Sequence, residues 1–244
     1  MQCISVETRP DGQRSLDDPF GIYRTVMSGD IVILKNAVPA ADCLRAREAV
    51  FSWGRSEPTS KDYALQVRKN VHLNSYLPPK SEARYIFHSY EFYFGDSGPQ
   101  SGLNNTVRPV FDRLKQIYRE LTGSPYDYAP MDGYALLPQC IQYPQGGGFF
   151  QEHLHQIAPQ QIGLILAASE IGTDYEVGSV RFRGTTDTTW TDTEGQHRIG
   201  DICLFRYDLP HDITPVDPHV PLDWTKNSGR WSFILPVKPA PQAK

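Results

Sequence analysis

The 244 residues are enough for one large domain with a substantial core, and 39% hydrophobic with 21% charged residues is the balance of an ordinary soluble globular chain. A formal charge of -4 without any Lys/Arg stripe gives no electrostatic case for nucleic acid or acidic membrane surfaces. The polar start MQCISVETRPDGQRSLDD lacks an apolar leader region, and no run approaches the roughly 18 apolar residues of a membrane span, so the expected setting is the cytoplasm.

Twenty prolines and 19 glycines keep strands short, the rhythm of an all-β or α+β protein, and neither a repeat nor a linker divides the chain. DIVILKNAV at 30–38 is a β-branched run that predicts a buried strand, and Pro39 with AADCLRAREAVFSW predicts a helix after it. The stretch 54–100 is dense in aromatics, among them Tyr63, Tyr85, Phe87, Tyr90 and Phe92, without clean periodicity. Long loops, some lining a pocket, are expected there. In TVRPVFDRLKQIYRELTG, residues Val107, Val110, Phe111, Leu114, Ile117, Tyr118 and Leu121 recur at spacings of three and four, which predicts an amphipathic helix stopped by Gly123. From Tyr134 the pattern turns to short apolar runs between turn residues, YALLPQCIQY, IGLILAAS, GSVRFRG, DICLFRY and RWSFILPV, each read as strand. Helices first and strands after predict an α+β, mainly β fold with N-terminal helices packed outside a sheet sandwich or barrel. Cys3, Cys43, Cys140 and Cys203 show no CxxC spacing and are expected as free, buried thiols.

Chemistry concentrates in Tyr143-Pro-Gln-Gly-Gly-Gly-Phe-Phe-Gln-Glu-His153-Leu-His155. Two histidines two apart on an extended strand point to one face and can share a metal. His211 lies 58 residues after His153, at the end of DICLFRYDLP, and the intervening strands can return it to the same place. Neutral imidazole suits iron, copper, nickel or zinc, and three on rigid strands leave coordination positions open. Seven histidines will sometimes fall two apart by chance, and His197 and His219, in the polar contexts EGQHRIG and VDPHVP, are expected at the surface.

Over 143–236 the order of motifs resembles the Fe(II)/2-oxoglutarate-dependent oxygenase superfamily, especially its prolyl-hydroxylase-like and phytanoyl-CoA-hydroxylase-like branches. Tyr143, the turn Gly146, Gly147, Gly148 and the pair His153-Leu154-His155 stand where those proteins carry a tyrosine, a glycine-rich turn and His-x-Asp. The strand Asp174-Tyr-Glu-Val-Gly-Ser-Val-Arg-Phe182, then Gly200-Asp-Ile-Cys-Leu-Phe205, the distal His211, and Ser228-Gly-Arg230-Trp-Ser232 follow in the family's order. The loop PHVPLDWTKN stretches the His211 to Arg230 spacing to 19, longer than the family's usual gap.

The resemblance implies a double-stranded β-helix (jelly-roll, cupin-like) in one domain over 1–244, with a supporting strand and helices to about 130 and a metal-binding core over about 131–238. It implies Fe(II) held by His153 and His211, and 2-oxoglutarate with its carboxylate on Arg230 and hydroxyl hydrogen bonds from Ser232 and Tyr143. Molecular oxygen would then oxidise a C–H bond of a small molecule, such as an amino acid or natural-product intermediate, by hydroxylation or a related reaction. Arg181 and Arg183 alternate with Phe182 and share one side of a strand that borders the family's active site. They are weaker candidates for an anionic substrate, and solvated arginines are an equally good reading.

One position departs from the family. His155 stands where an Asp or Glu completes the 2-His-1-carboxylate triad. In one version His155 ligates, giving a three-histidine face like that of thiol dioxygenases, which would bind anionic co-ligands more strongly. In another it turns away and leaves a position open, as in halogenases of the family. In a third a nearby carboxylate substitutes, from Glu152, Glu170, Asp174 or Asp212, although Glu152 and Asp212 should point to the opposite sheet face. A cosubstrate-independent three-histidine dioxygenase, which has no need of Arg230, and a non-catalytic β-helix binding protein stay open beside the oxygenase.

Overall fold

The computed structural model describes residues 1–8, 16–76, 84–94 and 101–240. Among them the helices are α1 (Pro19–Met27), α2 (Ala40–Ser56), α3 (Ala64–Val67) and α4 (Ser101–Thr122). The strands are β1 (Cys3–Glu7), β2 (Ile31–Lys35), β3 (Val71–Tyr76), β4 (Tyr85–Glu91), β5 (Tyr134–Leu136), β6 (Gln139–Tyr143) and β7 (Gly148–His153). They continue with β8 (Ile162–Ala167), β9 (Val180–Phe182), β10 (Thr191–Asp192), β11 (Ile202–Arg206), β12 (His211–Val216), β13 (Arg230–Ile234) and β14 (Val237–Pro239). No helix of the described residues is long and apolar enough to cross a membrane.

Alternation of side chains decides the layers. In β2, Val32 and Leu34 face a cluster under the helices while Ile31 and Ile33 face the interior, and β11 repeats this with Ile202 and Leu204 against Cys203 and Phe205. Because this sheet is covered on both sides, its strands read as unbroken apolar runs, as in IVILK and IGLILA. The outer cover is α4, whose seven periodic residues from Val107 to Leu121 are all buried, joined by Ile22 and Val26 of α1 and Cys43, Ala46 and Val50 of α2. Each large apolar side chain so buried contributes roughly 1.5–3 kcal/mol, so a charge at Leu114 would detach the helix. Pro109 lies on the exposed face of α4, where its missing N–H disturbs no packing.

Twelve strands form one hydrogen-bonded sheet in the order β1-β2-β11-β8-β13-β6-β4-β7-β12-β9-β10, with β3 on β4. Only β1 with β2 is parallel among these pairs. Chain-consecutive strands alternate sides: β6 pairs β13, β7 pairs β12, β8 pairs β13 and β11, and β9 pairs β12 and β10. This winding is the jelly-roll double-stranded β-helix that was expected, mainly β with α1, α2 and α4 on one outer face. Strand β4 stitches the two sides together by pairing β6 at His88↔Gln142 and β7 at Tyr85↔Phe150.

Several local expectations change. The stretch 54–100 is not mainly loop: it contains α3 and the antiparallel pair β3–β4, while 77–83 and 95–100 lie outside the described residues. Tyr90 and Phe92 from that stretch belong to the core under the helices. Helix α4 begins five residues before the predicted start, and β1 and α1 had no counterpart in the sequence reading. YALLPQCIQY divides into β5 and β6 at Leu137-Pro138, and RWSFILPV into β13 and β14 at Leu235-Pro236, with β14 and β5 forming a separate two-stranded sheet.

Candidate metal centre

The end of β7 and the start of β12 lie side by side, with His153 directly opposite His211 in the antiparallel register. His155 follows two residues after β7 ends. One ligating atom from each of the three histidines lies within 4.8 Å of the other two, and no carboxylate of the described residues joins the group. Nδ1 of His153 lies 2.9 Å from the Gln151 carbonyl, and Nδ1 of His211 lies 2.8 Å from that of Leu209. A carbonyl only accepts, so each Nδ1 carries the proton and each Nε2 keeps its lone pair for a metal. Phe150 stacks on His153 at 3.8 Å, and Tyr207 stacks on His155 at 4.4 Å, fixing both rings.

Burial keeps these rings neutral, the form that ligates. His155 is pushed down to about 3 by burial, with His153 and the Lys238 ammonium adding to the effect. His211 is held well below its usual value by burial and by His153 and His155. His153 is lowered by burial against the opposing pull of the Gln151 carbonyl and Asp212.

The four nearby carboxylates are engaged elsewhere. Glu152 pairs with Arg183, Asp212 with Arg181, Glu170 with Arg198 at 2.7 Å, and Asp174 with Arg47 at 2.8 Å. Arg181 and Arg183 therefore stand on the opposite strand face from Phe182, whose ring lies 5.8 Å from His211, and they also cover Trp190. Those pairs leave both guanidinium groups turned away from the histidines.

Behind the histidines lies a cavity of about 470 Å³, lined mainly by aromatic and aliphatic side chains, with Tyr143, Ser232 and the charged Lys61, Asp62, Glu91 and Lys238 among them. Alternation along β13 places Arg230, Ser232 and Ile234 toward the interior and Trp231 and Phe233 under the helices. Ser232 Oγ is buried without a protein partner, and so is Nε of Arg230. Arg230 is 3% exposed, sits opposite Tyr143 in the β6–β13 register, and donates to Tyr175 Oη at 3.0 Å, with His197 Nδ1 at 3.5 Å. It is deeper than the cavity wall, of which Ser232 and Tyr143 are part.

His197, expected at the surface, is buried. Its Nε2 faces the Asp201 carbonyl at 3.0 Å, and burial together with Arg230 pushes it down to about 3. Polar neighbours in EGQHRIG misdirected that expectation, because the partner that buries His197 comes from β13. His219 is exposed as expected. Sequence reasoning also missed Glu91 and Lys238, both cavity residues. A charge set within the aromatic run YEFYF was the available sign for Glu91.

The fold is similar to that of a solved prolyl-4-hydroxylase from Pseudomonas putida, at 14% identity and TM-score 0.55, over 88% of this chain and 96% of that one. A prolyl hydroxylase from Trichoplax adhaerens, solved with a hypoxia inducible factor oxygen degradation domain peptide fragment, aligns at 12% identity and TM-score 0.49 over 89% of each chain. No family model and no curated protein matches the sequence. The likeness is one of fold.

Proposed function

We propose that this chain is a non-haem Fe(II) oxygenase that uses 2-oxoglutarate to oxidise a C–H bond of a small molecule. The observation that carries the reading is the convergence of three histidines, His211 buried and His153 and His155 half-buried, at one end of a jelly-roll cavity. The donor set fits a divalent transition metal with open positions, and the two carbonyl-anchored rings are already in the ligating tautomer. The cosubstrate also finds a fit, because Ser232 Oγ and Arg230 Nε are buried donors without protein partners along one strand face.

In this reading His153, His155 and His211 hold the metal. Ser232 and Tyr143 donate to the distal carboxylate of 2-oxoglutarate, and Arg230 supplies the positive charge behind them. Phe150, Phe205 and Tyr207 exclude water around the imidazoles. Iron with 2-oxoglutarate and oxygen supplies the oxidant for an unactivated C–H bond. With no carboxylate among the ligands, the centre keeps the full charge of the dication and favours anionic co-ligands over water.

A cosubstrate-independent three-histidine dioxygenase is the second reading, favoured by one observation: Arg230 is already hydrogen-bonded to Tyr175. The two separate in one experiment. Anaerobic protein is loaded with Fe(II), 2-oxoglutarate is added, and the visible metal-to-ligand charge-transfer band is recorded for wild type and Arg230→Ala. A band that Arg230→Ala abolishes supports the oxygenase. Bound iron without a band supports the second reading, and no bound iron overturns both.

A further inference from the structure

One side of the cavity carries charge that neither the metal nor 2-oxoglutarate uses in the reading above. On β14, Val237 enters the core under the helices while its neighbour Lys238 turns into the cavity. Among the described residues the Lys238 ammonium has no hydrogen-bond acceptor and no carboxylate within 4.0 Å. In the same cavity, Glu91 closes β4 and is only 5% exposed. Its Oε1 accepts from Gln139 Nε2 at 2.8 Å and its Oε2 from the Ala64 N–H at 3.3 Å, which anchors the carboxylate and leaves a lone pair on each oxygen.

The two charges sense each other without touching. Burial raises the Glu91 carboxyl and lowers the Lys238 ammonium, and each charge partly offsets the shift of the other. Lys238 and His155 line the same cavity. Two desolvated, opposite charges kept apart in one cavity forgo the contact that would offset their desolvation. A ligand with matched charges restores it at both ends.

We propose that the substrate of the oxygenase described above is a zwitterion of the free amino-acid class, its carboxylate on Lys238 and its ammonium on Glu91. The apolar wall of Tyr85, Phe87 and Phe150 then receives the side chain beside His153. An interior residue of a polypeptide carries neither charge, so this seat discriminates against peptides. The inference rests on the oxygenase reading for the chemistry, and on Lys238 and Glu91, rather than the other charged lining residues Lys61 and Asp62, for the recognition.

The test uses Fe(II)-loaded anaerobic protein with 2-oxoglutarate, titrated calorimetrically with the free L-amino acids and with the N-acetyl and carboxamide forms of each. At least one free amino acid binds, and capping either end weakens it at least about tenfold, the value of one charge-assisted hydrogen bond in a desolvated site. Lys238→Met and Glu91→Gln each weaken the free amino acid by the same factor. Both variants keep the side-chain stem or shape, and the capped ligands give the same discrimination on wild type without any substitution.

Absence of binding by every free amino acid, or capped forms that bind as well as free ones, overturns the proposal. So does binding by both variants that matches wild type. The charge-transfer band is recorded on the same samples. A missing band counts against the oxygenase reading, whereas a band without amino-acid binding counts against the zwitterion seat alone.

Discussion

Replacing Ser232 by Ala should move stability and cosubstrate affinity in opposite directions. The Ser232 hydroxyl is buried with no protein partner, so in the ligand-free protein it carries a desolvation cost of about 1–3 kcal/mol. Ala keeps the β-carbon and removes that cost, and only a single oxygen's volume is vacated beside a cavity already present. The expected change is stabilisation of the metal-free protein by about 1 kcal/mol, read from urea denaturation with an unchanged slope. In the proposed oxygenase the same hydroxyl donates to the 2-oxoglutarate carboxylate, a contact worth about 1.5–3 kcal/mol. The Kd of 2-oxoglutarate, read from the charge-transfer band, should therefore rise about 10- to 100-fold. Destabilisation of the metal-free protein, or an unchanged Kd, would refute the assignment of this hydroxyl as a cosubstrate donor.

Three further outcomes are expected. His155→Ala should weaken Fe(II) binding at least tenfold in an anaerobic chelator competition, and an unchanged affinity would mean that His155 is no ligand. Asp174→Ala leaves Arg47, whose side chain is 11% exposed, without its bidentate partner, and should cost about 3–5 kcal/mol in urea denaturation; a loss below 1 kcal/mol would contradict the burial argument. His88 is pushed down to about 3 by burial and by His72, so below the unfolded value of about 6.5 the unfolded chain binds a proton that the folded one refuses. Its contribution is full above pH 6.5 and falls by about 1.4 kcal/mol per pH unit below it, about 2 kcal/mol at pH 5. His88→Gln should remove that share of the pH 7 to pH 5 loss, and an identical loss in both proteins would sink the argument.

Periodicity showed α4 and most of the C-terminal strands because each has one face or both faces in a core, which leaves a repeat of three and four or an unbroken apolar run. The pair β3–β4 was hidden for the opposite reason. Along β4, Tyr85, Phe87 and Glu91 face the cavity while His88 and Tyr90 join His72 and Trp53 on the other side. Aromatic and polar residues on both faces leave no alternation to read. Of the site, His153, His155 and His211 were legible as a motif that the winding of the strands brings together. Glu91 and Lys238 were not, because each becomes a cavity residue only through pairing with a strand far away in sequence, β6 and β5 respectively. His197 failed in the same way, since a polar segment says nothing of an arginine arriving from β13.

The continuous sheet also sets how the centre can deform. His153 and His211 ride on β7 and β12, one jaw of the jelly roll, whereas Tyr143, Arg230 and Ser232 ride on β6 and β13, the other. Among the described residues, β4 is the strand that pairs with both jaws. A shift of one jaw against the other would keep His153 and His211 together, because those two residues are cross-strand neighbours. In the proposed oxygenase it would change the reach from the metal to Ser232 and Tyr143. On that reading metal affinity and cosubstrate affinity are separately adjustable, and substitutions in β4 around Tyr85 to His88 would act on the second before the first.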